Sequence, residues 1–276
     1  MIVGSVRVRC TSLAVAVATV FAALVVFGAS LSATARADWA PLPPANQDLS
    51  NESGGVDYVS SATAPDGTVT AVWKRGTFPG EIKAVRIDPN GVVGTPITVW
   101  SELVGDVDQP RVAVGADGTA TIVYKVYDGS FNVGVEAKQL SAGGNLGPAL
   151  TIASFNSGTN PEVAVAPSGV ATVVWEGGFP SEIRSRQILN DGTLNSVQTV
   201  GSSINDQEHP QIAIDSSGVS TVVWDGRDDS FDFHVGLRRI AADGTPIGST
   251  QFLDPTASRM PHVAVAPNGT AMVSFY

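Results

Sequence analysis

The sequence predicts an all-β fold, a β-propeller of four-stranded antiparallel blades, about five of them with the last incomplete. Three observations predict it. One phrase recurs five times, and its third copy runs from Pro161 to Trp175. A glycine in each copy (Gly67, Gly118, Gly169, Gly218, Gly269) precedes an aromatic residue by six positions, and these glycines are spaced by 51, 51, 49 and 51 residues. Between them, apolar runs of strand length alternate with turn residues. A fixed period near fifty marks a repeat architecture.

The third copy shows how the strands are read. Val163 and Val165 point one way and Ala164 and Ala166 the other, which is the period of a strand. Pro167-Ser168-Gly169 is a tight turn, where glycine supplies a positive φ. Val170–Trp175 is a second strand rich in β-branched residues. Ile183–Leu189 alternates as a third. Asn190-Asp191-Gly192 turns the chain into a fourth, Leu194–Val200. The repeats are 56–106, 107–157, 158–206, 207–257 and a partial 258–276.

The repeat also assigns packing roles. Ala62, Ala113, Ala164, Ala213 and Ala264 share one position on the first strand. A small side chain suits the innermost strand, where blades crowd the axis. Trp73, Tyr124, Trp175, Trp224 and Phe275 lie further out and are expected to pack blade against blade. The Pro44–Leu49 segment falls where a preceding unit's fourth strand would be, and would lend an outer strand to the last blade. Prolines there suit an edge. Alternate copies share loops, Phe78–Ile82 with Phe179–Ile183 and Asp128–Phe131 with Asp229–Phe231. A duplicated pair of blades favours an even ring, which competes with five.

Residues 1–37 read as an export signal. Arg7 and Arg9 precede an apolar run from Leu13 to Gly28, and Ala35-Arg36-Ala37 fits the cleavage rule. The expected destination is outside the cell. The only cysteine, Cys10, lies in this segment, so the remainder has no disulfide to lean on. Without Arg7, Arg9 and Arg36 the chain carries 13 basic and 26 acidic residues. That charge disfavours nucleic acid and anionic lipid as partners, and no membrane association is expected after cleavage.

From about Val56 to Tyr276, the Pro-x-Val-Ala-Val and Gly-x-Ala-x-Val-Val-Trp pattern of Pro161–Trp175 resembles repeats of secreted bacterial β-propeller proteins. A more distant similarity is to the sialidase superfamily. The Asp-box of that family, Ser-x-Asp-x-Gly-x-Thr-Trp, is absent, as is a convincing arginine trio. The resemblance implies the fold more than any activity.

Function is sought where the repeat diverges. Ser60, Arg111, Glu162, Gln211 and His262 occupy one position at the start of the first strands and would ring the channel mouth. The readings are a polar ligand site or a solvated opening. A second candidate is Asp225-Gly226-Arg227-Asp228-Asp229-Ser230-Phe231-Asp232, with Asp128 as its counterpart two blades earlier. Its carboxylates suit Ca²⁺ by ligand type, but the spacing is not a calcium-loop pattern and Arg227 opposes it. Paired carboxylates would also serve glycoside hydrolysis. No other metal or cofactor is expected, since His209, His234 and His262 lack a zinc-ligand spacing. Phe78, Phe131, Phe179 and Phe231 are expected to plug the blade ends rather than to form a platform. The leading expectation is a secreted, non-catalytic propeller that binds a glycan or protein through its variable loops. The alternatives are a sialidase-like carbohydrate-acting enzyme and a fragment of a larger surface repeat protein.

Overall fold

Alternating apolar residues and glycine turns fold each repeat into a meander. The computed structural model describes residues 55–203, 205–227, 232–253 and 259–276, all in one unit spanning Leu42–Tyr276. The export segment with Cys10, the Pro44–Leu49 segment, Asp228, Asp229 and Phe231 lie outside the described residues. Blade one is β1 (Val56–Thr63), β2 (Val69–Arg75), β3 (Glu81–Ile87) and β4 (Ile97–Ser101). Blade two is β5 (Asp106–Val114), β6 (Ala120–Tyr127), β7 (Val133–Leu140) and β8 (Leu150–Ala153). Blade three is β9 (Thr159–Val165), β10 (Ala171–Gly177), β11 (Glu182–Ile188) and β12 (Gln198–Gly201). Blade four is β13 (Gln207–Ile214), β14 (Ser220–Arg227), β15 (Phe233–Ile240) and β16 (Pro246–Phe252), and β17 (His262–Val265) pairs with β18 (Ala271–Ser274) in a fifth sheet. Every pairing is antiparallel, and the strands of each blade follow chain order. The fold is a β-propeller.

The hairpin turns form as their residues dictate. Gly169 adopts φ 92° and donates its N–H to the Ala166 carbonyl at 2.8 Å. At the second turn, Gly192 adopts φ 80° and Asp191 accepts from the Thr193 N–H at 2.9 Å. The predicted fourth strand is shorter than expected. Leu194 makes a single bridge to Ile188, and the ladder resumes only at Gln198. The reason is local. The Asn195 side-chain oxygen takes the Gln187 N–H at 2.7 Å and displaces a ladder bond.

First strands pack side by side in sequence, β1 on β5, β5 on β9, β9 on β13 and β13 on β17. They approach closely enough for the Val112 N–H to reach Ser60 Oγ at 3.3 Å across two blades. Second strands of the four complete blades are covered on both faces, and every residue of β10 is buried. Trp175 packs against Val135, Ala137 and Ile152 of blade two, while Val174 joins Val222 and Trp224 of blade four. Tyr124 sits likewise among Val72, Ile82 and Val99 of blade one. Trp73, Tyr124, Trp175 and Trp224 are all buried.

Phe275 departs from that role. It is 37% exposed, and Met272 and Tyr276 beside it are 75% and 79% exposed. Among the described residues the fifth sheet has two strands, so the faces that bury the other four aromatics are missing there.

A half-buried carboxylate borders this core. Glu136 accepts from the Tyr124 hydroxyl at 3.4 Å, and burial pushes its carboxyl above the usual carboxylate range. A raised folded-state value means that stability is lost as pH rises through it. Glu136→Gln therefore raises the melting temperature at pH 7 and leaves it nearly unchanged at pH 4, as calorimetry at the two pH values would show.

Candidate functional site

The start of each first strand carries a kink that the alternating pattern did not reveal. Tyr58, Gln109, Asn160, His209 and Met260 all have φ between 48° and 51°. They occupy one repeat position. At each of the first four, pairing with the second strand slips, for example between Asp108 and Arg111 and between Glu208 and Gln211. Left-handed conformations are uncommon for such residues and collect at functional sites. Pro110, Pro161, Pro210 and Pro261 follow four of the five, and a residue with no N–H loses nothing at an unpaired bulge. The legible signal was Asn160 and the X-Pro step; the rest required backbone geometry.

The bulges gather the variable residues around one opening. Gln109, Arg111, Asn160, Glu162, His209, Gln211, Met260 and His262 line a cavity of about 230 Å³. Four of the five residues expected at the mouth are thus neighbours, while Ser60 is engaged with the Val112 backbone. Glu162 Oε1 is their hub. It accepts from Arg111 Nε at 2.7 Å and from Gln211 Nε2 at 3.1 Å, tying three blades together. Gln109 Oε1 is buried with no hydrogen-bond partner among the described residues. An orphaned buried acceptor is costly and calls for an explanation.

Behind the mouth lies a polar layer of which sequence reasoning singled out only Asp225. Glu176, 7% exposed, accepts from Asn160 Nδ2 at 2.7 Å and from the His209 N–H at 2.6 Å. His209 Nδ1 is 3.0 Å from Oδ1 of Asp225, which is 3% exposed. Burial pushes both carboxyls above the usual range; hydrogen bonds to Glu176 and the neighbouring His209 beside Asp225 oppose it. At the first two blades, Lys74 Nζ instead meets Asp106 at 3.2 Å and Asp108 at 4.0 Å.

The acidic stretch after Trp224 does not act as one loop. Asp225 is a buried residue of β14 and faces His209. Arg227 ends that strand with its guanidinium 4.5 Å from the Phe233 ring centre. Asp232 is exposed, outside the residues that line the mouth. Asp128 closes its own turn, accepting from the Ser130 N–H, the Asn132 N–H and Asn132 Nδ2 at 2.7–2.9 Å. The Asn132 bonds hold its carboxyl below the usual range.

The loop phenylalanines are a correction. Phe78 is 62%, Phe131 71% and Phe179 fully exposed, so they do not plug the blade ends. At Phe131 the turn itself accounts for this: the residue sits at φ 62° with its N–H on the Asp128 carbonyl at 3.0 Å, and its ring stands off the sheet. Phe78 and Phe131 stack instead, with centres 6.3 Å apart, beside exposed Leu103 and a cavity of about 500 Å³. Antiparallel order puts these loops at the same end of the blades as the mouth. A groove of about 580 Å³ at the other end is lined by turn residues such as Asp117, whose oxygens already serve Thr119.

No protein-family model matches this chain, and no curated protein matches it by sequence. Solved structures do share the fold. A polysaccharide lyase of family PL25, an ulvan lyase bound to a glucuronate–sulfated-rhamnose unit, aligns with TM-score 0.57 at 9% identity over 80% of this chain and 60% of its own. An α-L-arabinanase of Penicillium chrysogenum complexed with arabinobiose aligns with TM-score 0.51 at 14% identity over 79% and 74%. The Hadza microbial sialidase Hz136 aligns with TM-score 0.53 at 14% identity over 80% and 50%. The chain thus spans only half to three-fifths of the lyase and the sialidase. At these identities the likeness concerns the fold alone.

Proposed function

We propose that this chain is an exported, non-catalytic propeller that binds a glycan at its channel mouth. The observation that carries the reading is the Arg111–Glu162–Gln211 hub beside the orphaned Gln109 oxygen. The guanidinium and amide groups held at this opening suit the hydroxyls of a glycan, and Gln109, whose Oε1 is buried without a partner among the described residues, lines the same cavity. The stacked Phe78 and Phe131 add an apolar face at the same end of the blades. The named activities of the structural neighbours, all on carbohydrates, support the ligand class.

Screening the secreted chain on a glycan array is the test. A bound glycan is expected, and Glu162→Ala weakens it about tenfold or more, because Arg111 and Gln211 lose their shared acceptor. Binding indifferent to both Glu162→Ala and Gln109→Ala would move the site elsewhere. Glycoside hydrolysis is the second reading, favoured by the buried Glu176 and Asp225 on adjacent blades. Against it, Glu176 Oε1 already accepts two hydrogen bonds and Asp225 is engaged with His209. Release of reducing ends from a polysaccharide, abolished by Glu176→Gln, would establish it.

A further inference from the structure

The repeat supplies four versions of one cross-strand pair, just ahead of the bulge. In blade one Asp57 lies opposite Lys74, and in blade two Asp108 lies opposite Lys125. Opposite charges facing each other across antiparallel strands stabilise a sheet, and like charges destabilise it. Blade three holds Thr159 near Glu176, whose Oε1 has two donors. Blade four breaks the rule. Glu208 lies directly opposite Asp225, and Asp225 is 3% exposed. A buried carboxylate needs a partner charge or a metal ion. Arg259 acts on Asp225 from a distance, while its guanidinium lies 3.4 Å from the Phe233 ring centre.

His209 completes the set. One ligand atom each from Glu208, His209 and Asp225 lies within 4.8 Å of the others. The bulge holds His209 at φ 51° with its ring toward Asp225. Its backbone N–H donates to Glu176 Oε1 at 2.6 Å, which helps fix the bulge that presents the ring. We propose that Glu208, His209 and Asp225 bind a divalent metal ion, which supplies the positive charge that a lysine brings to this cross-strand position in blades one and two. An imidazole with two carboxylates suits Zn²⁺ or Mn²⁺ better than Ca²⁺, which prefers oxygen alone.

The test uses the full secreted chain, stripped with EDTA and dialysed, then titrated separately with Zn²⁺, Mn²⁺ and Ca²⁺ by calorimetry and thermal melting. Zn²⁺ or Mn²⁺ is expected to bind one to one and to raise the melting temperature by roughly 5 °C or more at a hundredfold excess over Kd. His209→Asn copies the residue blade three carries at that position and keeps a side chain tolerant of positive φ. It weakens binding at least tenfold. Asp225→Lys restores the opposite-charge pair of the first two blades. It melts no lower than the stripped wild type and no longer responds to the ion. If Asp225→Lys fails to fold, Asp225→Asn is read in its place and loses affinity likewise. Absence of binding by Zn²⁺ and Mn²⁺, or an equal response in wild type and all variants, overturns the proposal. Glycan binding that persists without metal leaves the channel-mouth reading standing, so the two can fail separately.

Discussion

Truncating Trp175 to alanine lowers unfolding free energy by about 3–5 kcal/mol, the range for removing a fully buried indole. The side chain is 1% exposed, packs between blades two and three, and donates its ring N–H to the Ser157 carbonyl at 3.0 Å. The alanine leaves a cavity between two sheets and an orphaned carbonyl. Phe275→Ala serves as the internal control, because it changes the same repeat position where the ring is 37% exposed. It is expected to cost less than about 1 kcal/mol, since partial exposure forfeits most of the transfer and cavity terms. Denaturant titration of the two variants measures the difference. Equal losses would mean that Phe275 is buried in solution and that the fifth sheet is covered.

Gly236→Ala is the second large effect. A methyl group there would stand 2.5 Å from Trp224 Cε2 and 2.6 Å from Cζ2, and Gly201 presses on the same indole from the neighbouring blade. Trp224 is fully buried and donates to Gln207 Oε1 at 2.7 Å, so it has no room to turn aside. Overpacking of this kind costs about 1–3 kcal/mol or more. Adding Trp224→Phe removes the ring atoms that clash and should recover part of the loss from Gly236→Ala. A double-mutant cycle reads that recovery as a coupling between the two positions. Strict additivity would show that the glycine is required for some other reason.

Several elements were legible before any coordinates. Alternation in Val163–Ala166 and the Pro167–Gly169 turn fixed one hairpin, and the even spacing of the glycines multiplied it. The aromatic ending each second strand marked the inter-blade core in four copies, and misled only at Phe275. Less was legible at the site. Arg111, Glu162, Gln211 and His262 stood out as a varying column among fixed neighbours, and they do share the mouth cavity. Asp225 was grouped with the acids that follow it in the chain, although as a buried strand residue it faces His209 across the sheet. Glu176 attracted no notice and His209 was set aside with the other histidines, because a lone acid in a strand and a histidine before proline carry no pattern of their own.

Sequence alone determined the period, the strand polarity and the identity of the core, since each depends on residues close in the chain. Tertiary structure decided which charges meet. Glu208 and Asp225 face each other, and Glu162 joins two other blades, because register and bulge geometry bring together residues 17, 49 and 51 positions apart. Such meetings depend on how whole sheets twist and crowd an axis, and no local preference encodes them.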